Sequence, residues 1–237
     1  MIYLSVCSRK DNRPKALDDL VGWHDAQSEL KHLVKYSINY DFNSIYEGHS
    51  NSLEGLKDED VIVMCHDDVE IISTPDKVYE ILNDVLSKPK VGFVGVAGCS
   101  TLPKNAVWWE ARKTGEARGF VFQGDDPLTM VPNYFGPHGE VVALDGCFLA
   151  VKVKTLKDIG LVQPKYLSSK WDFYDIHMTF TAYLKGYSNY TVPIIIRHES
   201  PGNMREGWYD SQREFLKEHG RYLPCRLPMD KTHGLPN

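Results

Sequence analysis

The run Val61–Cys65 (VIVMC) is apolar throughout and ends in His66-Asp67-Asp68. A buried strand of this kind delivers the residues after it to the C-terminal edge of an open α/β sheet, where such sheets bind ligands. Two carboxylates and an imidazole there could hold a hard divalent cation. Mg²⁺ or Mn²⁺ bridging phosphate oxygens needs only one or two protein ligands. Residues two apart face the same side while the strand stays extended. His66 and Asp68 can therefore share a ligand, with Asp67 pointing away or fixing the loop. A polar turn that simply closes the strand fits the same triplet.

Four further groups could carry chemistry. In WDFYDIHMTF (171–180), Asp172 falls before a helix and Asp175 in its first turn, where the positive helix end favours a carboxylate. A general base and a plain helix start both fit, and only reach to a substrate proton separates them. His198, in Arg197-His198-Glu199-Ser200, leaves an apolar strand and suits either a metal ligand or a surface imidazole bonded to its neighbours. Asp145-Gly146 sits where glycine permits a tight bend against a ligand, or an ordinary turn or bulge. Trp108-Trp109 could stack on a sugar ring or fill core. Gly92, Gly95 and Gly98 do not have the GxGxxG spacing and lie inside a strand, so a dinucleotide loop is excluded.

The elements that would position these groups follow from periodicity. Residues 2–7 (IYLSVC) form a strand. Residues 14–35 suit a helix, with Pro14 at its start and an apolar stripe of Leu17, Leu20, Val21, Leu30, Leu33 and Val34. A second strand is expected over 36–46 and a third at 61–65. Thr74-Pro75-Asp76 opens a helix to about Ser87, and 91–97 (VGFVGVA) is another strand. Rich in Gly, Pro, Trp and charge, 101–139 reads as long functional loops with one hairpin. Two strand-like pieces flank Asp145-Gly146 within 140–152. Helices over 154–159 and 174–185 end at Gly160 and Gly186. A last strand (190–197) and a helix (205–219) follow. Strand alternating with helix predicts an α/β, Rossmann-like, mostly parallel sheet flanked by helices on both faces.

Bulk properties narrow the function. At 237 residues the chain suits one α/β domain. A net charge of -5 with no basic block argues against nucleic acid and against adsorption to anionic lipid. Five cysteines without CxxC spacing do not suggest a disulfide framework or a zinc knuckle. With no signal-like start and no run long enough to span a bilayer, a cytoplasmic protein without an integral membrane segment is expected.

The order of the pieces resembles a family 2-like glycosyltransferase of the GT-A fold, in its bacterial and viral "glycosyltransferase-like" branch. The likeness is carried by IYLSVCS, SIYEGHSNSLEGL (44–56), DVIVMCHDDVEI (60–71), VGFVGVAGCSTLPKNAVWWE (91–110), VVALDGCFLAVK (141–152), FYDIHMTFTAYLKGY (173–187) and VPIIIRHES (192–200), across about residues 1–200. The resemblance implies one GT-A domain: a nucleotide-binding half (about 1–100), an acceptor half (about 101–200) and a C-terminal closing segment (201–237).

It also implies site roles. His66-Asp67-Asp68 stands in place of the DxD motif, with Asp68 as metal ligand and His66 where the first Asp is common. His198 matches a histidine that completes the metal or diphosphate site. Asp175 becomes the catalytic base, with Tyr174 in place of a preceding acid. Asp145 and Gly146 fall where the family places donor and acceptor contacts, and Asn51 and Asp41 border the nucleotide; Trp109 and Asp172, picked out by residue type and position, are the further candidates for donor or acceptor contacts. The expected reaction is inverting transfer from a nucleotide-diphosphate sugar, a UDP-sugar first, to a glycan or other hydroxyl, with Mn²⁺ or Mg²⁺. A metal-dependent hydrolase and a non-catalytic sugar-nucleotide-binding protein on the same fold are the competing readings.

Overall fold

The computed structural model describes residues 1–11, 14–25, 31–200, 202 and 204–228. The first half runs β1 (Ile2–Ser8), α1 (Lys15–Asp25), β2 (Val34–Tyr40), α2 (Ile45–Asn51), β3 (Val61–Cys65), β4 (Val69–Ile71), α3 (Pro75–Ser87), β5 (Val91–Gly95), β6 (Ala97–Cys99) and β7 (Thr101–Leu102). The second runs β8 (Ala117–Gln123), β9 (Val131–Gly136), β10 (Glu140–Val141), β11 (Ala143–Leu144), β12 (Phe148–Lys152), α4 (Val153–Ile159), α5 (Tyr174–Leu184), β13 (Ser188–Thr191), β14 (Ile196–His198), α6 (Glu206–His219) and β15 (Cys225–Arg226).

The main sheet has the order β10-β13-β5-β12-β3-β1-β2. Its strands run one way except β12, antiparallel to both β3 and β5, and the edge strand β10. Period-two alternation divides the apolar residues between its faces. Val61 and Val63 pack with Leu17 and Leu20 of α1 and Val78, Leu82 and Val85 of α3. Ile62 and Met64 pack with Ile45 of α2, Leu156 of α4 and Met178 of α5. Helices cover both faces, as a mostly parallel sheet requires.

A second sheet, β11-β6-β8-β14-β4 with β9 on β8, adjoins the first. Four strands of the main sheet hand the chain directly to it: β3 to β4, β5 to β6, β10 to β11, and β13 to β14. The expected strands 91–97 and 190–197 are therefore each two strands in different sheets. Pro193, which has no N–H for a ladder, lies in the second break.

The expected helix over 14–35 stops at Asp25, and Val34 already begins β2, paired with Ile2. Leu30 of its proposed stripe lies outside the described residues. The expected strand 36–46 divides as well, because 45–51 is helix α2. Ser44 caps it, accepting from the Glu47 N–H at 3.1 Å, while Glu47 Oε2 accepts from Asn43 N–H at 3.2 Å. This Ser44 cap, with Glu47 reaching back to the residue before it, outweighs the strand preference of Ile45 and Tyr46. Within 101–139 the hairpin is β8–β9, and a 3-10 turn at Trp108–Thr114 occupies part of the expected loop.

Candidate active site

β3 ends at Cys65, and three residues later β4 begins, so His66, Asp67 and Asp68 form the turn at the seam between the sheets. β14 lies antiparallel on β4 with His198 opposite Val69, and the Glu199 N–H donates to the Asp68 carbonyl at 2.9 Å. That register places His198 beside Asp68, although 130 residues separate them in the chain. The His198 Nε2 is 3.2 Å from Asp68 Oδ1 and 3.4 Å from His66 Nδ1, and His66 Nδ1 is 3.9 Å from Asp68 Oδ1.

On the other side of β3, antiparallel β12 sets Cys147 against His66, whose N–H donates to the Cys147 carbonyl at 3.2 Å. The Asp145-Gly146 bend thus crosses in front of the His-Asp-Asp turn. The N-terminus of α5 docks onto this bend through two adjacent residues. Asp175 Oδ2 accepts from Gly146 N–H at 2.9 Å, and the Tyr174 hydroxyl donates to the Gly146 carbonyl at 2.9 Å. Only glycine fits here: a Cβ on residue 146 would stand 2.4 Å from the Tyr174 hydroxyl oxygen and 3.0 Å from Asp175 Cβ.

The electrostatics follow from these contacts. Burial works to raise the Asp68 carboxyl, yet the hydrogen bond and charge of His198, with His66, hold it down at about 2. Burial also opposes charging His198, but Asp68 outweighs it and raises the imidazole. His66 goes the other way, lowered by burial and then by His198. Burial, and next the charge of Asp145, push the Asp175 carboxyl up to about 7, against three backbone N–H groups, those of Ile176, Gly146 and Asp175 itself, that favour its ionised form. A carboxyl poised near neutrality suits a general base.

A cavity of about 920 Å³ opens over this seam, lined by His66, Asp67 and Asp68, by Ser8 at the end of β1, and by Asp41 and Phe42 from the loop after β2. Asp67 turns toward β1 and accepts from the Ser8 hydroxyl at 2.7 Å, which fixes the loop. Arg9, Lys10 and Arg205 add cationic groups to the wall, and Trp171, 43% exposed, adds an aromatic face.

Of the residues singled out from sequence, His66, Asp68 and His198 come together, and Asp145, Gly146 and Asp175 adjoin them through the bend. Asp145 accepts from Trp108 Nε1 at 3.0 Å and from Cys147 N–H at 2.9 Å. Asp41 lines the cavity in a left-handed conformation (φ 60°) and accepts from Lys10 N–H at 3.2 Å. Asn51 is not a lining residue; its side chain donates to Asn39 at 3.0 Å and holds α2 to β2. Trp109 packs against Trp108 and Trp208, at ring separations of 5.9 and 5.6 Å. Asp172 accepts from the Ser169 hydroxyl at 2.7 Å, ahead of α5. Sequence reasoning did not single out Arg9, Lys10, Trp171 or Arg205, nor Tyr174 as a contact of His66. The signal for the first two was available, since Arg9-Lys10 directly follows β1 at the ligand-binding edge of the sheet.

His66, Asp68 and His198 each offer one ligand atom, and all three atoms lie within 4.8 Å of one another. Their separations are near the edge of about 3 Å that an octahedron with bonds near 2.1 Å requires. Two imidazoles and a carboxylate fit Mn²⁺, and less well the more oxygen-demanding Mg²⁺.

The mixed α/β fold, with its cation-competent seam at the strand ends, can be placed by comparison with known proteins. The pattern of a glycosyltransferase-like family matches residues 40–221, and the chain belongs to that family. The mannosyltransferase PcManGT from Pyrobaculum calidifontis, solved with GDP-Man and Mn²⁺, superimposes with a TM-score of 0.51 at 13% identity, over 92% of this chain and 63% of that one. GalNAc-T7, solved with UDP, GalNAc and Mn²⁺, gives a TM-score of 0.51 at 13% identity, over 91% of this chain and 47% of that one. The chain thus spans less than two thirds of either protein, and the likeness establishes the GT-A fold. No curated protein matches the chain. No helix among the described residues is long and apolar enough to cross a membrane.

Proposed function

We propose that the protein transfers a sugar from a nucleotide-diphosphate donor to an acceptor hydroxyl by a single inverting displacement. The observation that carries this reading is the Gly146 bend, which joins the His66–Asp68–His198 cluster to Asp175 in one seam. Asp175 takes the proton of the acceptor hydroxyl as its oxygen bonds to the anomeric carbon. The bond from that carbon to the diphosphate oxygen breaks, and its electron pair leaves with the nucleotide diphosphate. His66, Asp68 and His198 would hold Mn²⁺ or Mg²⁺, which when bound neutralises the charge growing on the diphosphate. Arg9, Lys10 and Arg205 add positive charge along the same wall. Trp171 offers its exposed face to a sugar ring.

The cavity draws on the loops after β1, β2 and β3, which supports a donor site in about residues 1–100, with the acceptor served by 101–200. Arg205 brings the start of the closing segment 201–237 to the wall, and 229–237 lie outside the described residues. Release of nucleotide diphosphate from a donor panel, UDP-sugars first, tests the reading with and without manganese and hydroxyl acceptors. Manganese-dependent release only when an acceptor is present is the expected result. Release without acceptor would mean a hydrolase, and tight donor binding without release a non-catalytic binder.

A further inference from the structure

His66 makes a second contact that the proposed reaction does not require: its Nε2 is 2.9 Å from the Tyr174 hydroxyl. That hydroxyl is buried, on a residue 4% exposed, and lies 2.9 Å from the Gly146 carbonyl. The direction of this chain is fixed by valence. A carbonyl can only accept, so the single phenolic proton goes to Gly146. The phenolic oxygen is then left to accept, and the group facing it, His66 Nε2, must carry a proton. A neutral imidazole protonated on Nε2 presents a lone pair at Nδ1. His66 Nδ1 is the atom that faces His198 Nε2 at 3.4 Å and Asp68 Oδ1 at 3.9 Å. The opposite tautomer has little to recommend it. An Nδ1–H would find the Asp68 carboxylate beyond hydrogen-bond range and would meet the His198 proton donated toward Asp68 at 3.2 Å.

We propose that Tyr174 is a positioning residue for the cation site: relaying between the Gly146 carbonyl and His66, it holds His66 in the tautomer whose Nδ1 lone pair completes a ligand set with Asp68 and His198. The proposal rests on the cation reading above. Metal-bound histidines commonly donate their second N–H to a partner that sets the tautomer, and loss of such a partner typically costs about 10- to 100-fold in metal affinity. Here the partner is a hydroxyl that also grips Gly146, so ligand orientation and the bend carrying the Asp175 contact depend on one residue.

The first measurement uses the intact, metal-free protein. Its ¹⁵N imidazole spectrum should place the His66 proton on Nε2, and finding it on Nδ1 overturns the proposal without any variant. The second measures Mn²⁺ binding by calorimetry and electron paramagnetic resonance, with no donor present. Tyr174→Phe, which keeps the ring and removes the hydroxyl, should weaken Mn²⁺ about 10- to 100-fold. In a His66→Gln background the same change should add nothing further, because the tyrosine acts through that imidazole. Undiminished Mn²⁺ affinity in Tyr174→Phe overturns the tyrosine's role alone. No Mn²⁺ binding by the unaltered protein overturns the cation assignment and this proposal with it.

Discussion

Replacing Asp175 with asparagine removes a carboxyl whose protonation controls both turnover and stability. Burial first, and the neighbouring Asp145 charge second, raise it from the ordinary 3.8 to about 7. A base must be ionised, so the ionised fraction is about 0.1 at pH 6, about 0.5 at pH 7 and about 0.9 at pH 8. Transfer should therefore rise close to tenfold across that range, with unit slope below neutrality, and Asp145→Asn should move the limb to lower pH. Asparagine cannot accept the proton, and transfer should fall by about 10²- to 10⁴-fold.

Stability moves in the opposite sense. A raised carboxyl leaves the folded state holding more protons than the unfolded state between about pH 4 and 7. The native protein is thus favoured at low pH and loses that advantage as pH rises through this window. About three units at 1.36 kcal/mol each set a ceiling near 4 kcal/mol. Asparagine escapes the penalty, but its amide can satisfy only one of the Gly146 and Ile176 N–H donors, a loss of about 1 kcal/mol. Urea unfolding should find the variant about 1 kcal/mol less stable than its parent near pH 3, level with it near pH 5, and about 3 kcal/mol more stable at pH 8. A variant that transfers at the parental rate would refute the base assignment, and a stability difference that stays constant with pH would refute the burial argument.

Gly146→Ala should cost about 2–5 kcal/mol, from a buried overlap with Tyr174 and a broken hydroxyl relay, and should lower the melting temperature by roughly 5–15 °C. Mn²⁺ affinity should climb as pH rises through the raised His198 value, because the proton shared with Asp68 must leave before a cation enters; calorimetry in buffers of different ionisation heat would count it. Arg197 is fully buried, 2.7 Å from Glu70, 3.4 Å from Glu199 and 3.8 Å from Asp19. Arg197→Met strands those carboxylates and should cost about 3–5 kcal/mol in chemical denaturation, without changing the pH dependence of any transfer that remains.

The parts of this site that sequence made legible are those whose signals are local. VIVMC followed by three polar residues marks a strand and its ligand-bearing end without help from the rest of the chain. Asp175 at the head of a helix is visible for the same reason. His198 could be named from resemblance but not positioned, because its approach to Asp68 depends on β14 pairing with β4. Tyr174 is harder still. Nothing in its neighbours says that its hydroxyl turns back to Gly146, 28 residues earlier. Trp109 shows the converse failing, since an aromatic pair suited to a sugar is equally suited to the cluster it forms with Trp208. At α2 the cue was present, yet the capping pair Ser44 and Glu47 competed with Ile45 and Tyr46, whose preference for strands is the louder signal.

The position of the site follows from the way the two sheets are joined. Each of the four handovers from the main sheet to the second needs a short irregular stretch where backbone leaves one ladder for another. Those stretches are 66–68, Val96, Val142 and 192–195. Irregular backbone leaves polar groups to be satisfied otherwise. Val96 gives its carbonyl to Phe120, the Ile195 carbonyl takes the Ile72 and Ser73 N–H groups, and Asp68 takes Glu199. The two sheets are thus locked in register at the points where their side chains are released from regular packing. His66 and Asp68 ride on one handover, and His198 on the strand that completes another. Their spacing is a property of the sheet-to-sheet register, so the ligand cluster can be no more ordered, and no less, than the seam that carries it.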